Sequence, residues 1–259
     1  MMKSDNPEPL KLSAVIITLN EEANIQRCIQ SLLIVADEVV VVDSGSTDLT
    51  QDLATSMGAK VIFHPFEGHI QQKNFALSVA SFPLILSLDA DEALSPELAT
   101  SICEVKHSPA AMCYSMNRMT NYCGKWIRHG GWYPDIKVRL IRSGKACWDG
   151  VNPHDKLTPE PNADIRHLKG DLLHYSINSL ADHLKQIDYF TTIAARERVK
   201  QSKPVGIHHL LLNPAAKFIK DYFLRGGFRD GLTGFAIASF SAWASFLKYM
   251  KTAFLYRGL

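Results

Sequence analysis

The sequence has no C-x-x-C pair. Its five cysteines, Cys28, Cys103, Cys113, Cys123 and Cys147, are odd in number. That argues against a disulfide framework and a structural zinc site, and a reducing compartment fits best. A G-x-G-x-x-G fingerprint and a P-loop lysine are missing too, so glycine backbone is not the main cradle for a phosphate. Charge of one sign is lacking: 28 Lys and Arg stand against 26 Asp and Glu, a net of +2. No strong polyanion-binding field follows from that balance. No apolar run reaches the roughly 20 residues that span a bilayer. Residues 1–11 are polar, contain two prolines and have no apolar core, so they read as a flexible arm and not as a signal peptide.

What is present is globular. The chain has 259 residues and is 46% hydrophobic, enough for one large core or two smaller lobes. Residues 12–19 (Leu-Ser-Ala-Val-Ile-Ile-Thr-Leu) and 38–42 (Glu-Val-Val-Val-Val) suit buried parallel strands. Residues 60–63 give a third strand and residues 84–86 lead into a fourth. Helical patterns lie between them: Ile25, Cys28, Ile29 and Leu32; then about 49–57, closed by Gly58; then about 70–80. Short connections between alternating strands and helices predict an α/β layer with a parallel sheet.

In such sheets ligands bind beyond the carboxyl ends of the strands. Polar residues gather at those ends: Thr18 to Glu21, Asp43 to Asp48, and Asp89 to Asp91. Turn-making and helix capping account for each cluster separately. They do not account for acidic groups at three strand ends without basic neighbours in sequence, and a shared site does. Asp89 and Asp91 are two apart in extended chain and face one volume, with only Ala90 between them. Two carboxylates that close repel unless a cation intervenes, and Mg²⁺ or Mn²⁺ takes oxygen ligands of this kind together with substrate phosphates. The plain alternative is a polar strand-to-helix turn, with Asp91 or Ser95 as N-cap.

Four segments occur in order within the first hundred residues: Val15-Ile16-Ile17-Thr18-Leu19-Asn20-Glu21; Val41-Val42-Asp43-Ser44-Gly45-Ser46-Thr47-Asp48; Gln72-Lys73-Asn74-Phe75-Ala76-Leu77; and Leu88-Asp89-Ala90-Asp91-Glu92. The series resembles glycosyltransferase family 2, and within it the lipopolysaccharide-core type. The resemblance implies a GT-A fold: a mixed, mainly parallel α/β sheet with helices on both faces, here with a helical C-terminal extension. It implies a nucleotide-sugar site, of the UDP-sugar class, at Thr18, Leu19, Asn20, Glu21, Asp43, Ser44, Gly45, Lys73, Asp89, Ala90 and Asp91. It also implies a divalent cation, Mg²⁺ or Mn²⁺, at Asp89 and Asp91. His174 matches a family position and is a third candidate ligand, although a histidine between apolar residues is more often a buried, hydrogen-bonded one.

Residues 112–175 lose the strand–helix rhythm and are rich in aromatics, His, Gly and Arg. Trp132 and Tyr133 are candidates to stack on an acceptor sugar, or else belong to a small core. The run 137–142 alternates charged and apolar residues, as a half-exposed strand does, and is expected to place Arg139 beside the acceptor. Inverting transfer needs a base for the acceptor hydroxyl. The segment Trp148-Asp149-Gly150-Val151-Asn152-Pro153-His154-Asp155 resembles the Trp-x-Gly and His-acidic pair of these transferases, which points to Asp155, with His154, as catalytic residues. Where those transferases commonly have Glu, this chain has the shorter Asp155. Surface-loop residues are the plain alternative.

From residue 179 to 200 a long amphipathic helix is expected, with Leu180, Leu184, Ile187, Phe190 and Ile193 or Ala194 on one face. Another follows over residues 207–222. Residues 232–247 carry no charge and are flanked by Arg225, Arg229, Lys248 and Lys251. They read as a helix in the headgroup region of a membrane, or as one buried against the protein or a second copy. The expected organisation is a flexible arm (1–11), a nucleotide-sugar lobe (12–111), an acceptor-binding and catalytic part of the same domain (112–175) and a membrane-associating helical region (176–259). The expected activity is inverting transfer from a UDP-sugar to a saccharide or lipid-linked glycan in cell-envelope lipopolysaccharide synthesis. The place is the cytoplasmic face of the membrane, with no nucleic-acid partner. Transfer to a polyprenyl phosphate, or nucleotide-sugar binding without turnover, are the alternatives.

Overall fold

A computed structural model describes residues 8–151 and 154–258, without the side chains of Val151 and His154. In chain order the elements are β1 (Leu12–Thr18), α1 (Ile25–Leu32), β2 (Glu38–Asp43), α2 (Thr50–Ser56), β3 (Lys60–Phe63), α3 (His69–Ser78), β4 (Leu84–Asp89) and β5 (Glu92–Leu94). Next come α4 (Pro96–His107), β6 (Cys113–Tyr122), β7 (Lys125–Trp126), β8 (Asp135–Arg142), β9 (Ala146–Val151), β10 (His154–Pro159) and β11 (Ile165–Ile177). The chain ends in α5 (Leu180–Lys200), α6 (Ile207–Ile219) and α7 (Gly231–Tyr256).

The main sheet runs β3-β2-β1-β4-β8-β6-β11-β5, with β7 on β6. Its first four strands are parallel. The others join antiparallel where pairings are described. This is the mixed α/β sheet the sequence predicts. Strands buried on both faces need apolar residues at every position, and β1 shows why. Leu12, Ala14 and Ile16 point to a core shared with Ile25, Ile29 and Leu32 of α1 and with Leu98 and Ile102 of α4. Val15 points to the opposite core, with Val40 and Val42 of β2, Ala76 of α3, and Trp148 and Leu157 of the β9–β10 hairpin. Each fully buried Val, Leu or Ile contributes about 1.5–3 kcal/mol relative to exposure.

The chain forms two compact units: Met1–Arg118 with Asp135–His174, and Met119–Pro134 with Tyr175–Leu259. In the first, Leu10 is tied down by its N–H, which donates to the Lys106 carbonyl at 2.8 Å; the rest of the expected arm, residues 1–7, lies outside the described residues. Ser95 caps α4, its Oγ accepting from Leu98 N, and Pro96 takes the first helical position, where its missing N–H costs nothing. Between the D-x-D and this cap the chain adds the short strand β5, so Asp91 is no N-cap. Gly170 of β11 has φ +89°, and a Cβ there would lie 2.2 Å from the Leu98 backbone nitrogen, so only glycine fits against α4.

In the second unit α5 differs from the expected face. Its buried stripe is His183, Ile187, Thr191 and Ala195, an i, i+4 series, while Leu180, Leu184 and Phe190 are exposed. His183 is buried because its Nδ1 pairs with the Tyr122 hydroxyl at 2.9 Å and its ring packs edge-on against Tyr122, Trp132 and Phe240. The uncharged stretch 232–247 lies within α7, which packs on α5 and α6 and buries Gly234, Ile237 and Ala238. Part of it is therefore core. Among the described residues no helix is long and apolar enough to cross a membrane.

Candidate active site

The site grows from strand register. In the order β2-β1-β4, Asp43 lies opposite Thr18, and Ile17 opposite Asp89. Neighbouring strands are about 4.8 Å apart, so the three polar strand ends form one row. Thr18 is 5% exposed and its Oγ1 is buried without a hydrogen-bond partner.

Side chains lace the turns after β1 and β2 together. The Asn20 N–H donates to Ser46 Oγ at 2.8 Å, and Asn20 Oδ1 accepts from Thr47 N at 2.9 Å. The Glu21 N–H donates to Thr50 Oγ1, the Glu22 N–H to Asp48 Oδ2, and Glu22 Oε2 accepts from Leu49 N. Asn20 takes φ +54°, the left-handed region that asparagine tolerates better than most residues. Asp43, expected to meet a nucleoside directly, is fully buried. It accepts from Gly45 N and Ser46 N at 2.8 Å, from Gln51 Nε2 at 2.9 Å and from the Ser46 hydroxyl. Its carboxylate shapes the Ser44–Gly45–Ser46 turn, whose Ser44 N–H donates to the Thr18 carbonyl. Leu19 is 49% exposed at the rim.

Three consecutive polar residues of α3 each have a separate partner. Gln72 pairs with His64, through Nδ1 at 2.8 Å and the carbonyl at 3.3 Å. Asn74 pairs with the Trp148 backbone as a neighbouring strand does, donating to its carbonyl and accepting from its N–H, both at 2.9 Å. Between them Lys73, 6% exposed, extends its ammonium to Asp155 Oδ2 at 2.7 Å and to Asp89 Oδ1 at 3.1 Å. Residues 82 positions apart, Lys73 and Asp155, thus meet at the D-x-D. Trp148 lies beneath two cations, with Lys73 Nζ 4.3 Å and the Arg139 guanidinium 5.0 Å from its ring centroid.

Arg139 corrects the half-exposed reading of its strand. It is 2% exposed, and Nη2 donates to Glu92 Oε1 at 2.7 Å and to Asp89 Oδ2 at 3.3 Å. The strand is central in the sheet, between β4 and β6, so residues 139–141 are all buried. Burial opposes the charge on Arg139, but Glu92 and Asp89 raise its pKa and keep it a cation. Its Nε and Nη1 are buried and have no hydrogen-bond partner. Burial likewise opposes ionisation of Asp89, yet the Lys73 ammonium and the Arg139 guanidinium hold its carboxyl well below the usual carboxylate range.

The two D-x-D carboxylates therefore have different neighbours. Asp91 Oδ2 lies 3.2 Å from His174 Nε2, and β11 carries His174 there because it pairs with Glu92. Glu21 completes an acidic rim. Burial pushes its carboxyl up, the hydrogen bond from Asn24 opposes that, and the negative charges of Asp91, Asp48 and Asp89 add to the rise. Among the described residues no three His, Cys, Asp or Glu side chains form a ready-made metal cage. A cation that takes most of its ligands from a diphosphate needs only one or two protein carboxylates, and Asp91 with His174 fits that requirement.

Trp132 and Tyr133 fall in the second unit, where Trp132 packs against Tyr122 and His183. The side chain of His154 lies outside the described residues. Sequence reasoning quoted Gln72, Asn74 and Glu92 within family-like segments but gave them no role. The available signal was polarity at successive positions of elements that must be buried.

The model for glycosyl transferase family 2 matches residues 13–155. The lipopolysaccharide core biosynthesis glycosyltransferase LpsC of Rhizobium meliloti is 33% identical over 93% of this chain and 92% of its own. A glycosyltransferase of Rickettsia typhi is 33% identical over 93% of this chain and 86% of its own. Among solved structures, glucosyl-3-phosphoglycerate synthase from Mycobacterium tuberculosis, in complex with Mn²⁺, UDP and glucosyl-3-phosphoglycerate, is 26% identical. That match covers 43% of this chain and 44% of that one, with a TM-score of 0.37.

Proposed function

Because the chain belongs to glycosyl transferase family 2 and has a GT-A-like architecture, we propose that it moves a sugar from a UDP-sugar to a hydroxyl of a saccharide or lipid-linked glycan, with inversion, in cell-envelope lipopolysaccharide synthesis. The relative named for lipopolysaccharide core biosynthesis supports the choice of acceptor class. The observation that carries the reading is the meeting of Asp155, Lys73 and Asp89 at the ends of the parallel strands.

Asp155 takes the proton of the attacking hydroxyl. Lys73 holds it by one oxygen and orients it. Lys73 and the unpaired donors of Arg139, backed by Trp148, offer positive charge to the departing diphosphate as its charge grows. The orphaned Thr18 hydroxyl and the rigid turns 19–22 and 43–48 receive the nucleoside side of the donor, with Asp43 shaping the second turn from beneath. Asp91 and His174, flanked by Asp89, are the residues that would hold Mg²⁺ or Mn²⁺. Such an ion, when bound, neutralises diphosphate charge. The basic C-terminal region brings the enzyme to the cytoplasmic membrane face, where a lipid-linked acceptor is found.

Asp155→Asn tests this reading. Transfer to a hydroxyl acceptor should fall at least about 10²-fold, the low end for a lost general base, while donor binding persists. Activity that survives unchanged would favour transfer to a polyprenyl phosphate, an acceptor whose oxygens need no base. Absence of both transfer and donor hydrolysis in the unaltered chain would favour binding without turnover.

A further inference from the structure

The net charge of +2 conceals a division. The second unit holds 14 Lys and Arg against five Asp and Glu, leaving 14 against 21 in the first, so the balances are +9 and −7. Within this basic unit α6 has no buried residue. Its solvent-facing positions recur in pairs four apart, and apart from His208 they are apolar: Ile207, Leu211, Leu212, Ala215, Ala216 and Ile219. The half-buried side mixes His209, Asn213 and Lys217 with Leu210, Pro214 and Phe218, and Asn213 donates to the Tyr249 hydroxyl at 2.9 Å. A surface helix of a soluble domain turns polar residues to solvent, not an apolar row. The exposed series continues past α6 through the π-helical turn Lys220–Leu224, where Phe223 is 56% and Leu224 78% exposed. Exposed Lys220, Arg225 and Arg229 border it.

We propose that the outer face of α6 and the turn that follows it dock on an anionic lipid surface, the apolar side chains entering the headgroup–acyl boundary and the lysines and arginines meeting lipid phosphates. The inference rests on the membrane-face reading above and moves the contact from the uncharged stretch 232–247 to α6. A second copy of the chain is the poorer occupant, because pairing this face with itself would set like-charged rows against each other. An apolar row with a basic border suits a negatively charged bilayer on both counts.

The test is sedimentation of the full chain with vesicles of phosphatidylcholine alone or mixed equally with phosphatidylglycerol. The chain should bind the mixed vesicles and lose binding as salt rises. Leu211→Asp combined with Leu212→Asp, both at exposed positions, should weaken binding about tenfold or more. Ile34→Asp, an equally exposed apolar site in the first unit, should change nothing. Asp155→Asn should bind vesicles as the unaltered chain does, so failure of the transfer reading and failure of this one are separable. Equal binding by the double variant and the unaltered chain would overturn the proposal. So would light scattering that shows a dimer, dissolved by the double variant, in a chain that ignores vesicles.

Discussion

Lys73→Met removes a cation that touches both Asp155 and Asp89. The Lys73–Asp155 pair is secluded, with 8% and 13% of the two side chains exposed. Breaking such a pair from one side costs about 3–5 kcal/mol, because the remaining charge is buried alone. Asp89 suffers less, since Arg139 stays 3.3 Å away and 26% of its side chain is exposed. The contact with Trp148 adds about 1 kcal/mol. Lys73→Met should therefore destabilise by about 4–6 kcal/mol, read from urea unfolding at unchanged m. In an Asp155→Asn background no carboxylate is stranded at that position, and the same change should cost only about 1–2 kcal/mol. The expected coupling is the difference, about 3–4 kcal/mol. A coupling below about 0.5 kcal/mol would show that Lys73 and Asp155 do not act as a pair, and the orientation of the base would lose its explanation.

Two further outcomes follow from particular groups. The folded-state pKa of Glu21 is raised, so its stabilising contribution is complete below the unfolded value of about 4.3 and is lost as pH rises through the folded one. Glu21→Gln should accordingly raise the Tm of the ligand-free protein at pH 7–8, with the gain disappearing near pH 4; a pH-independent change would contradict this. Gly170→Ala forces a methyl into the α4 backbone and should cost about 2 kcal/mol or more. Gly144→Ala, at φ +73° with nothing within 4 Å, should cost only about 1 kcal/mol, the left-handed penalty alone. Thermal melts that put the two variants level would refute the steric reading.

The parallel half of the sheet was legible because β1, β2 and β4 are apolar at consecutive positions, a pattern that only burial on both faces requires. Thr18, Asp43 and Asp89 were legible as a row because each ends such a strand. The partners were not legible, since pairing depends on contacts between distant segments. Nothing local says that Arg139 turns inward, and its charged neighbours in sequence suggest the opposite. The turn-shaping role of Asp43 was hidden for a related reason: a carboxylate that caps its own turn looks the same in sequence as one that meets a ligand. In α5 the apolar periodicity gave two overlapping faces. The bond between His183 and Tyr122 selected the one that carries a histidine.

The lacing of the first two turns through Asn20, Glu22 and Asp48 affects more than their shape. The ten residues of turns 19–22 and 43–48 are tied to one another before any ligand arrives, so under the proposed function a nucleotide meets a finished wall. Ordering these turns then costs little at the moment of capture, and discrimination among donors falls to how well their edges match fixed donors and acceptors.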